Sequence, residues 1–91
     1  QSLGDTELTV SLEPFLEKWH SFNWIVDEVD GHDLKSLEEV LKKVYKEKPN
    51  VVVANTTKGK GVSFMEGNIA WHYLPLTKEL YESALIELES K

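Results

Sequence analysis

The stretch Val-Val-Val-Ala at 51–54 decides the fold class of this 91-residue chain. It is a continuous apolar run, and such a run is typical of a strand that helices cover on both faces. We therefore predict a central, parallel strand at 51–54. A second strand is predicted over 24–29, which is rich in aromatic and β-branched residues and ends before an Asp-Gly turn at 30–31.

The N-terminal part of the chain is predicted to contain one helix. Residues 1–10 combine loop-forming and apolar residues, which indicates a loop with a short strand around 8–10. Ser11 can then cap a helix that ends near Asn23. The apolar side chains of this helix recur at three- and four-residue steps and form one stripe: Leu12, Phe15, Leu16, Trp19 and Phe22.

Two further helices are predicted on either side of the strand at 51–54. One begins at Asp33 or Ser36 and ends by Pro49, and the other is capped by Thr77. Their apolar faces consist of Leu34, Leu37, Val40, Leu41 and Val44 in the first helix and of Leu80, Tyr81, Ala84, Leu85 and Leu88 in the second. Since helices and strands alternate along the chain, we predict an α/β fold with helices packed on a parallel sheet.

The composition excludes several functional classes. Ten lysines against sixteen acidic residues give a net charge of −6, so a duplex nucleic-acid binder, which needs a dense basic face, is not expected. The chain has no cysteine, and therefore no disulfide framework, thiolate zinc site or cysteine nucleophile. No apolar run is as long as a membrane span, so the simplest interpretation is a cytoplasmic protein.

A long loop is predicted over 55–76, after the apolar strand, and its first part belongs to a segment that differs in charge from the rest of the chain. Between Lys48 and Met65 there are three lysines and no acidic residue, so this segment carries +3 while the remainder carries −9. Loops of this length in compact domains are usually functional or disordered. The loop is therefore the first place where a functional site is expected.

The loop begins with Thr-Thr-Lys-Gly-Lys-Gly at 56–61. Ligands of open α/β sheets bind beyond the carboxyl ends of the strands, and glycine with lysine suits a phosphate-bearing ligand there. The two common phosphate motifs fail, because Gly61 follows Lys60 where a P-loop needs Ser or Thr, and Phe64 stands where a dinucleotide motif needs glycine. The residues alone leave anion binding and a plain glycine-rich turn as equal alternatives.

The three histidines differ in what their surroundings indicate. His20 falls late in the first helix, which indicates a surface or helix-end residue. His32 lies in Asp-Gly-His-Asp at 30–33, where a turn and helix cap fit better than a metal site because the EF-hand spacing is missing. His72 follows Trp71 at the far end of the long loop. An imidazole there can bind phosphate or transfer protons, although the residues alone favour a structural role.

Three segments together resemble a known family. They are Asp-Gly-His-Asp at 30–33, Val-Val-Ala-Asn-Thr-Thr-Lys-Gly-Lys-Gly-Val-Ser-Phe-Met-Glu at 52–66, and Ala-Trp-His at 70–72. In this order, with Lys58 and His72 fourteen positions apart, they resemble the end of the thiamine-diphosphate-binding N-terminal domain of transketolases. The split type, in which the N-terminal half is a separate subunit, is resembled most, and the similarity covers nearly the whole chain.

The resemblance implies that 1–91 is a single partial domain, the C-terminal portion of that parallel-sheet, thiamine-diphosphate-binding domain. The chain opens at Gln1 and its single methionine is Met65, which also suggests a piece of something longer. The metal-binding Gly-Asp-Gly signature of the family, which holds Mg²⁺ or Ca²⁺, is expected upstream and outside this chain. By the same resemblance, His32 belongs to a structural turn.

The resemblance also implies roles for individual residues. Lys58 is expected to bind cofactor and substrate, and His72 to bind both and to act in catalysis by stabilising charge or assisting proton transfer. Gly59 and Gly61 are expected to bind the cofactor by allowing close backbone approach. The family usually continues Trp-His-Gly-Lys-Pro, whereas this chain has Trp-His-Tyr-Leu-Pro at 71–75, a departure that bears on loop geometry and substrate preference.

The function that the resemblance implies is transfer of a two-carbon ketol unit between sugar phosphates, with thiamine diphosphate as cofactor. The expected partners are the remainder of the N-terminal domain and the C-terminal transketolase half, in an oligomeric assembly, and the chain alone is expected to be inactive. Two alternatives remain open: a related thiamine-diphosphate synthase with another acceptor, and a non-catalytic assembly module.

Overall fold

The computed structural model describes residues 4–43 and 45–91. Two compact units make up the chain: one is Thr6–Thr56, and the other is formed mainly by Thr57–Lys91. Val44, a member of a predicted apolar face, lies outside the described residues. Over the described ranges, no helix has the length and apolar character needed to cross a membrane.

The first unit is built on two parallel strands, β1 (Ile25–Asp30) and β2 (Asn50–Asn55). Val26 lies opposite Val51 in the register, which confirms the predicted parallel pairing. Within the described part of the chain the sheet has these two strands, so β2 lies at an edge and the prediction of a central strand is wrong there. The valines of β2 are accordingly half-buried, because covering both faces of a parallel strand takes neighbours and helices on every side.

Two helices pack on this sheet, α2 (Phe15–Ser21) against β1 and α3 (Leu34–Leu41) against both strands. Because parallel strands need a crossover connection, α3 lies in the segment that joins β1 to β2. Of the two predicted starts of α3, the structure selects Asp33, whose Oδ1 accepts hydrogen bonds from two backbone N–H groups of the first turn at 3.1 and 3.2 Å. Ser36 assists by donating its hydroxyl to Asp33 Oδ2 at 2.8 Å.

The buried face of α3 is narrower than predicted. Val40 is 7% exposed, whereas Leu34 and Leu41 are 81% and 68% exposed. The helix ends at Leu41 instead of continuing toward Pro49, so only a short part of the apolar stripe lies over the sheet. The predicted face is therefore wrong for these two leucines and confirmed for Val40.

A short helix, α1 (Thr6–Thr9), occupies the region where a strand was predicted around 8–10, so that prediction is wrong. The side chain of Glu7 explains the helical conformation, because its carboxylate accepts hydrogen bonds from the Ser11 hydroxyl at 2.6 Å and from two following backbone N–H groups. Ser11 is thus bonded to Glu7 and does not cap the next helix, whose N-cap position is Pro14.

The second unit contains a 3-10 helix, Ile69–His72, within the predicted long loop and then helix α4 (Lys78–Glu89). The predicted cap of α4 is confirmed, since Thr77 Oγ1 accepts a hydrogen bond from a first-turn N–H at 3.2 Å. Two residues of this unit, Val62 and Ala84, are buried at 7% and 8% exposure. They show where the loop and α4 supply apolar packing.

Candidate functional site

The segment 57–67, here called the lysine loop, is closed by its own backbone. The N–H of Gly67 donates to the carbonyl oxygen of Lys58 at 3.0 Å, which joins the two ends of the loop. Inside it, four further backbone hydrogen bonds close turns, with N···O distances of 2.9–3.2 Å. A surface loop whose ends are bonded and whose interior is turned on itself keeps its shape without a regular element.

A carboxylate within the lysine loop supports this shape. Glu66 Oε1 accepts a hydrogen bond from the backbone N–H of Gly61 at 3.0 Å. Gly61 and its neighbour Val62 are both buried, so the bond satisfies a backbone donor that has little access to water. The sequence resemblance includes Glu66 in the motif, but no spacing rule indicates that its side chain turns back onto the glycine.

Gly59 permits a close approach inside the loop. Its φ angle is +71°, and a Cβ atom at this position would lie 2.6 Å from Met65 Cβ and 2.7 Å from the Met65 carbonyl oxygen. Real Cβ atoms do not come this close to backbone atoms, so the loop requires glycine here for an internal reason. Whether Gly59 and Gly61 also approach a cofactor stays a prediction.

The end of α4 is bonded to the lysine loop. Both Ser63 donors reach the carboxylate of Glu87, the backbone N–H at 2.8 Å and the hydroxyl at 2.6 Å. Lys91 Nζ donates to the carbonyl oxygen of Gly61 at 2.6 Å. The Ser63 hydroxyl, followed by the Ser63 N–H, holds the pKa of the Glu87 carboxyl below its usual range, and the charge of Lys91 contributes in the same direction.

The two lysines of the loop are exposed. Neither Lys58 nor Lys60 forms an ion pair within the described ranges. The ion pairs found there involve Lys42 and Lys43, which belong to the first unit. Unpaired ammonium groups on a glycine-rich turn are donors that suit phosphate oxygens. The chemistry of this donor set therefore fits the diphosphate of a cofactor or the phosphate of a sugar.

His72 ends the 3-10 helix, and the residue before it anchors this helix to the lysine loop. Trp71 Nε1 donates to the carbonyl oxygen of Phe64 at 2.9 Å, and the two rings lie 5.4 Å apart between centroids. His72 itself is exposed and meets the ring of Tyr73 edge to face, with centroids 4.6 Å apart. An exposed imidazole on a fixed backbone can donate or accept a hydrogen bond from a ligand.

The second unit thus contains all four predicted site residues. Lys58, Gly59 and Gly61 belong to the lysine loop, and His72 follows the tryptophan that is bonded to that loop. Among the described contacts, no hydrogen bond or ion pair joins His72 to Lys58. Their assignment to one binding site stays a prediction.

The first unit holds the other two histidines, for which structural roles were predicted. The N–H of His32 donates to Asp30 Oδ1 at 2.9 Å within the turn that precedes α3. His20 is exposed on α2. The described ranges contain no group of three or more histidine or carboxylate side chains placed to hold a metal ion.

Comparison with known proteins gives relatives along nearly the whole chain. The 6-deoxy-6-sulfo-D-fructose transketolase subunit SqwG of Clostridium sp. (strain MSTE9) is 38% identical over 90 residues, which are 97% of this chain and 33% of that protein. An apulose-4-phosphate transketolase subunit of Phocaeicola vulgatus is 37% identical over 93 residues, covering 100% of this chain and 33% of the relative. The homologues of this chain are transketolase subunits. The resemblance drawn from the three sequence segments is thereby confirmed.

Eukaryotic transketolases are also similar to this chain. The transketolase of Rattus norvegicus is 30% identical over 80 residues, which are 88% of this chain and 13% of that protein. No protein-family model matches the chain. The chain spans about a third of the length of the bacterial subunits. Their names therefore describe proteins much longer than this one.

Proposed function

We propose that this chain is part of a transketolase-like transferase that moves a two-carbon ketol unit from a ketose phosphate to an aldose phosphate with thiamine diphosphate. The observation that carries the proposal is the lysine loop, on which two exposed lysines have no carboxylate partner in the described chain. The names of the bacterial relatives, all transketolase subunits, support the reaction class.

Each residue has a distinct part in this proposal. Lys58, assisted by Lys60, attracts the anionic groups of cofactor and substrate, while Gly59 and Gly61 keep the backbone of the loop in the required shape. His72 donates a hydrogen bond to the bound sugar and holds or releases a proton at an imidazole nitrogen. When bound, thiamine diphosphate supplies the carbanion and the electron sink for cleavage of the carbon–carbon bond.

The proposal also includes partners. Mg²⁺ or Ca²⁺ would be bound by ligands outside this chain. The relatives are named as subunits and are about three times as long as the chain, so the proposed partners are the remainder of the N-terminal domain and a C-terminal subunit. The chain alone is proposed to be inactive.

The test replaces the aligned third of the apulose-4-phosphate transketolase subunit of P. vulgatus by this chain and measures ketol transfer in the assembled enzyme. His72→Ala should lower turnover about a hundredfold, the scale of a lost acid or base. Lys58→Ala should weaken cofactor binding, measured by calorimetry with thiamine diphosphate and Mg²⁺, about tenfold, because a hydrogen bond from a charged group is lost.

Two variants of the first unit serve as matched controls, since both residues are exposed there. His20→Ala and Lys35→Ala remove the same groups and should leave turnover and cofactor affinity unchanged. Unchanged kinetics in His72→Ala would contradict the proposed role of the histidine. Detectable ketol transfer by the 91-residue chain alone would contradict its proposed dependence on partners.

A related synthase with another acceptor is a second candidate, and the residues after His72 favour it. Tyr73 and Leu74 are 79% and 50% exposed, and the family pattern has glycine and lysine in their place. A neutral, bulky pair beside the imidazole suits a less anionic acceptor than an aldose phosphate. A panel of phosphorylated and unphosphorylated aldehydes on the same assembly separates the two, and absence of cofactor binding in any combination would favour a non-catalytic module.

A further inference from the structure

The last turn of α4 and the residue after its C-cap contact the lysine loop through two side chains of opposite charge. Glu87 accepts from both donors of Ser63 at 2.6 and 2.8 Å. Lys91 donates to the carbonyl oxygen of Gly61 at 2.6 Å. These bonds connect parts of the chain that lie 24 and 30 positions apart. They form the tie between α4 and the loop that no local sequence pattern indicates.

The two side chains of the tie reach the loop from adjacent parts of the chain. Glu87 lies in the last turn of α4, and Lys91 follows Ser90, the C-cap residue of that helix. Their two targets, Ser63 and Gly61, lie on either side of Val62, which is 7% exposed. The tie thus holds the loop on both sides of the buried Val62, just after the second lysine of the loop.

We propose that Glu87 and Lys91 are positioning residues for the anion-binding lysines, an inference that rests on the proposed function of the loop. A fixed loop loses less conformational freedom when it binds a ligand, so the lysines bind more tightly for the same contacts. The carboxylate of Glu87 and the ammonium of Lys91 add no net charge to the neighbourhood. Their effect on anion binding therefore acts through the shape of the loop.

The test measures binding of inorganic pyrophosphate to the 91-residue chain by calorimetry. Glu87→Gln and Ser63→Ala should each weaken binding about two- to fivefold, the scale of a lost exposed charged hydrogen bond, and the double variant should bind no more weakly than the weaker single one. Glu89→Gln, two positions away, is the matched control for charge. Coulomb attraction alone predicts tighter anion binding when a glutamate is neutralised, so weaker binding in Glu87→Gln alone separates positioning from charge.

Hydrogen exchange provides a second readout. The amide of Gly67, bonded to Lys58, and that of Val62, bonded to Gly59, should exchange about two- to fivefold faster in Glu87→Gln, while the amides of β2 are unchanged. Equal acceleration in β2 would show general destabilisation and overturn the inference. Unprotected loop amides in the unmodified chain would overturn it too, because the tie would then not form.

The outcomes also separate this inference from the proposed function. If Lys58→Ala binds pyrophosphate as well as the unmodified chain, the loop is not the anion site and the proposed function fails. The exchange measurement still reports on the tie in that case. If Lys58→Ala loses affinity while Glu87→Gln keeps it, the proposed function stands and the positioning role of Glu87 is refuted.

Discussion

Replacing Gly59 by alanine should damage the lysine loop far more than the same change at Gly67. Both glycines have positive φ angles, +71° and +65°, so alanine is strained at either position. They differ in the space around them. A Cβ atom at position 59 would lie 2.6–2.7 Å from atoms of Met65, including its backbone, whereas a Cβ atom at position 67 meets nothing within 4 Å.

The magnitude follows from three contributions. A left-handed alanine costs about 1–2 kcal/mol, and the smaller conformational freedom of the unfolded chain offsets about 0.4–1 kcal/mol of that. Gly67→Ala should therefore lower the free energy of unfolding by about 1 kcal/mol. At Gly59 the overlap with Met65 adds about 1–3 kcal/mol, typical of an overpacked site, for a total of about 2–4 kcal/mol.

The assay is urea unfolding followed by the NMR signals of amides in 57–91, which reports on the second unit alone. The midpoint of Gly59→Ala should lie clearly below that of Gly67→Ala, with equal denaturant slopes. Equal losses in the two variants would refute the reasoning, because the contact with Met65 would then carry no energy. A larger loss at Gly67 would refute it as well.

Two further predictions concern packing and pH. Val40→Ala removes two methyl groups from a side chain that is 7% exposed and should lower the free energy of unfolding of the first unit by about 1.5–2.5 kcal/mol in urea. Leu41 is 68% exposed, so Leu41→Ala should change this free energy by less than about 0.5 kcal/mol. Similar losses in the two variants would contradict the assigned packing. The folded state lowers the pKa of Glu87. The bond with Ser63 should therefore stabilise the second unit fully at pH values above the ordinary carboxyl pKa, and this stabilisation should be lost as the pH falls through the lowered pKa. The stability difference between the unmodified chain and Ser63→Ala should therefore be smaller at about pH 2 than at about pH 7, and a constant difference would argue against this linkage.

The sequence predicted those features of the fold that depend on hydrogen bonds between residues close together in the chain. The cap at Thr77 depends on a side chain and the next few backbone donors, so residue type and position were enough to predict it. For α3 the same signals left Asp33 and Ser36 as alternatives, and the structure selects Asp33. The exposed leucines of α3, Leu34 and Leu41, show the limit. The period of a helix defines an apolar stripe, but which part of that stripe lies over the sheet depends on where the helix ends and how it crosses the strands. The predicted strand around 8–10 is wrong because the Glu7 carboxylate accepts hydrogen bonds from the Ser11 hydroxyl and from the two backbone N–H groups that follow it.

The candidate site also contains features that depend on neighbouring residues, which the sequence predicted, and features that depend on distant residues, which it did not. Lys58 and Gly59 are neighbours in sequence, so the motif that contains them predicted that they share a loop. No sequence pattern predicts that Glu66 and Glu87 accept these hydrogen bonds, because a carboxylate can accept from any donor that the fold brings within reach. The bond between Glu87 and Ser63 joins residues 24 positions apart, and such contacts follow from tertiary structure alone.

The same two carboxylates leave the lysines of the loop available. Glu66 accepts from a backbone N–H and Glu87 from Ser63, and neither forms an ion pair with Lys58 or Lys60 in the described contacts. Had they paired with the lysines, an incoming phosphate would first have to displace a carboxylate. Their negative charge still lowers the positive potential around the loop. Because Coulomb attraction grows with the charge of the ligand, such a loop favours a polyanion, as a diphosphate is, over an anion with a single charge.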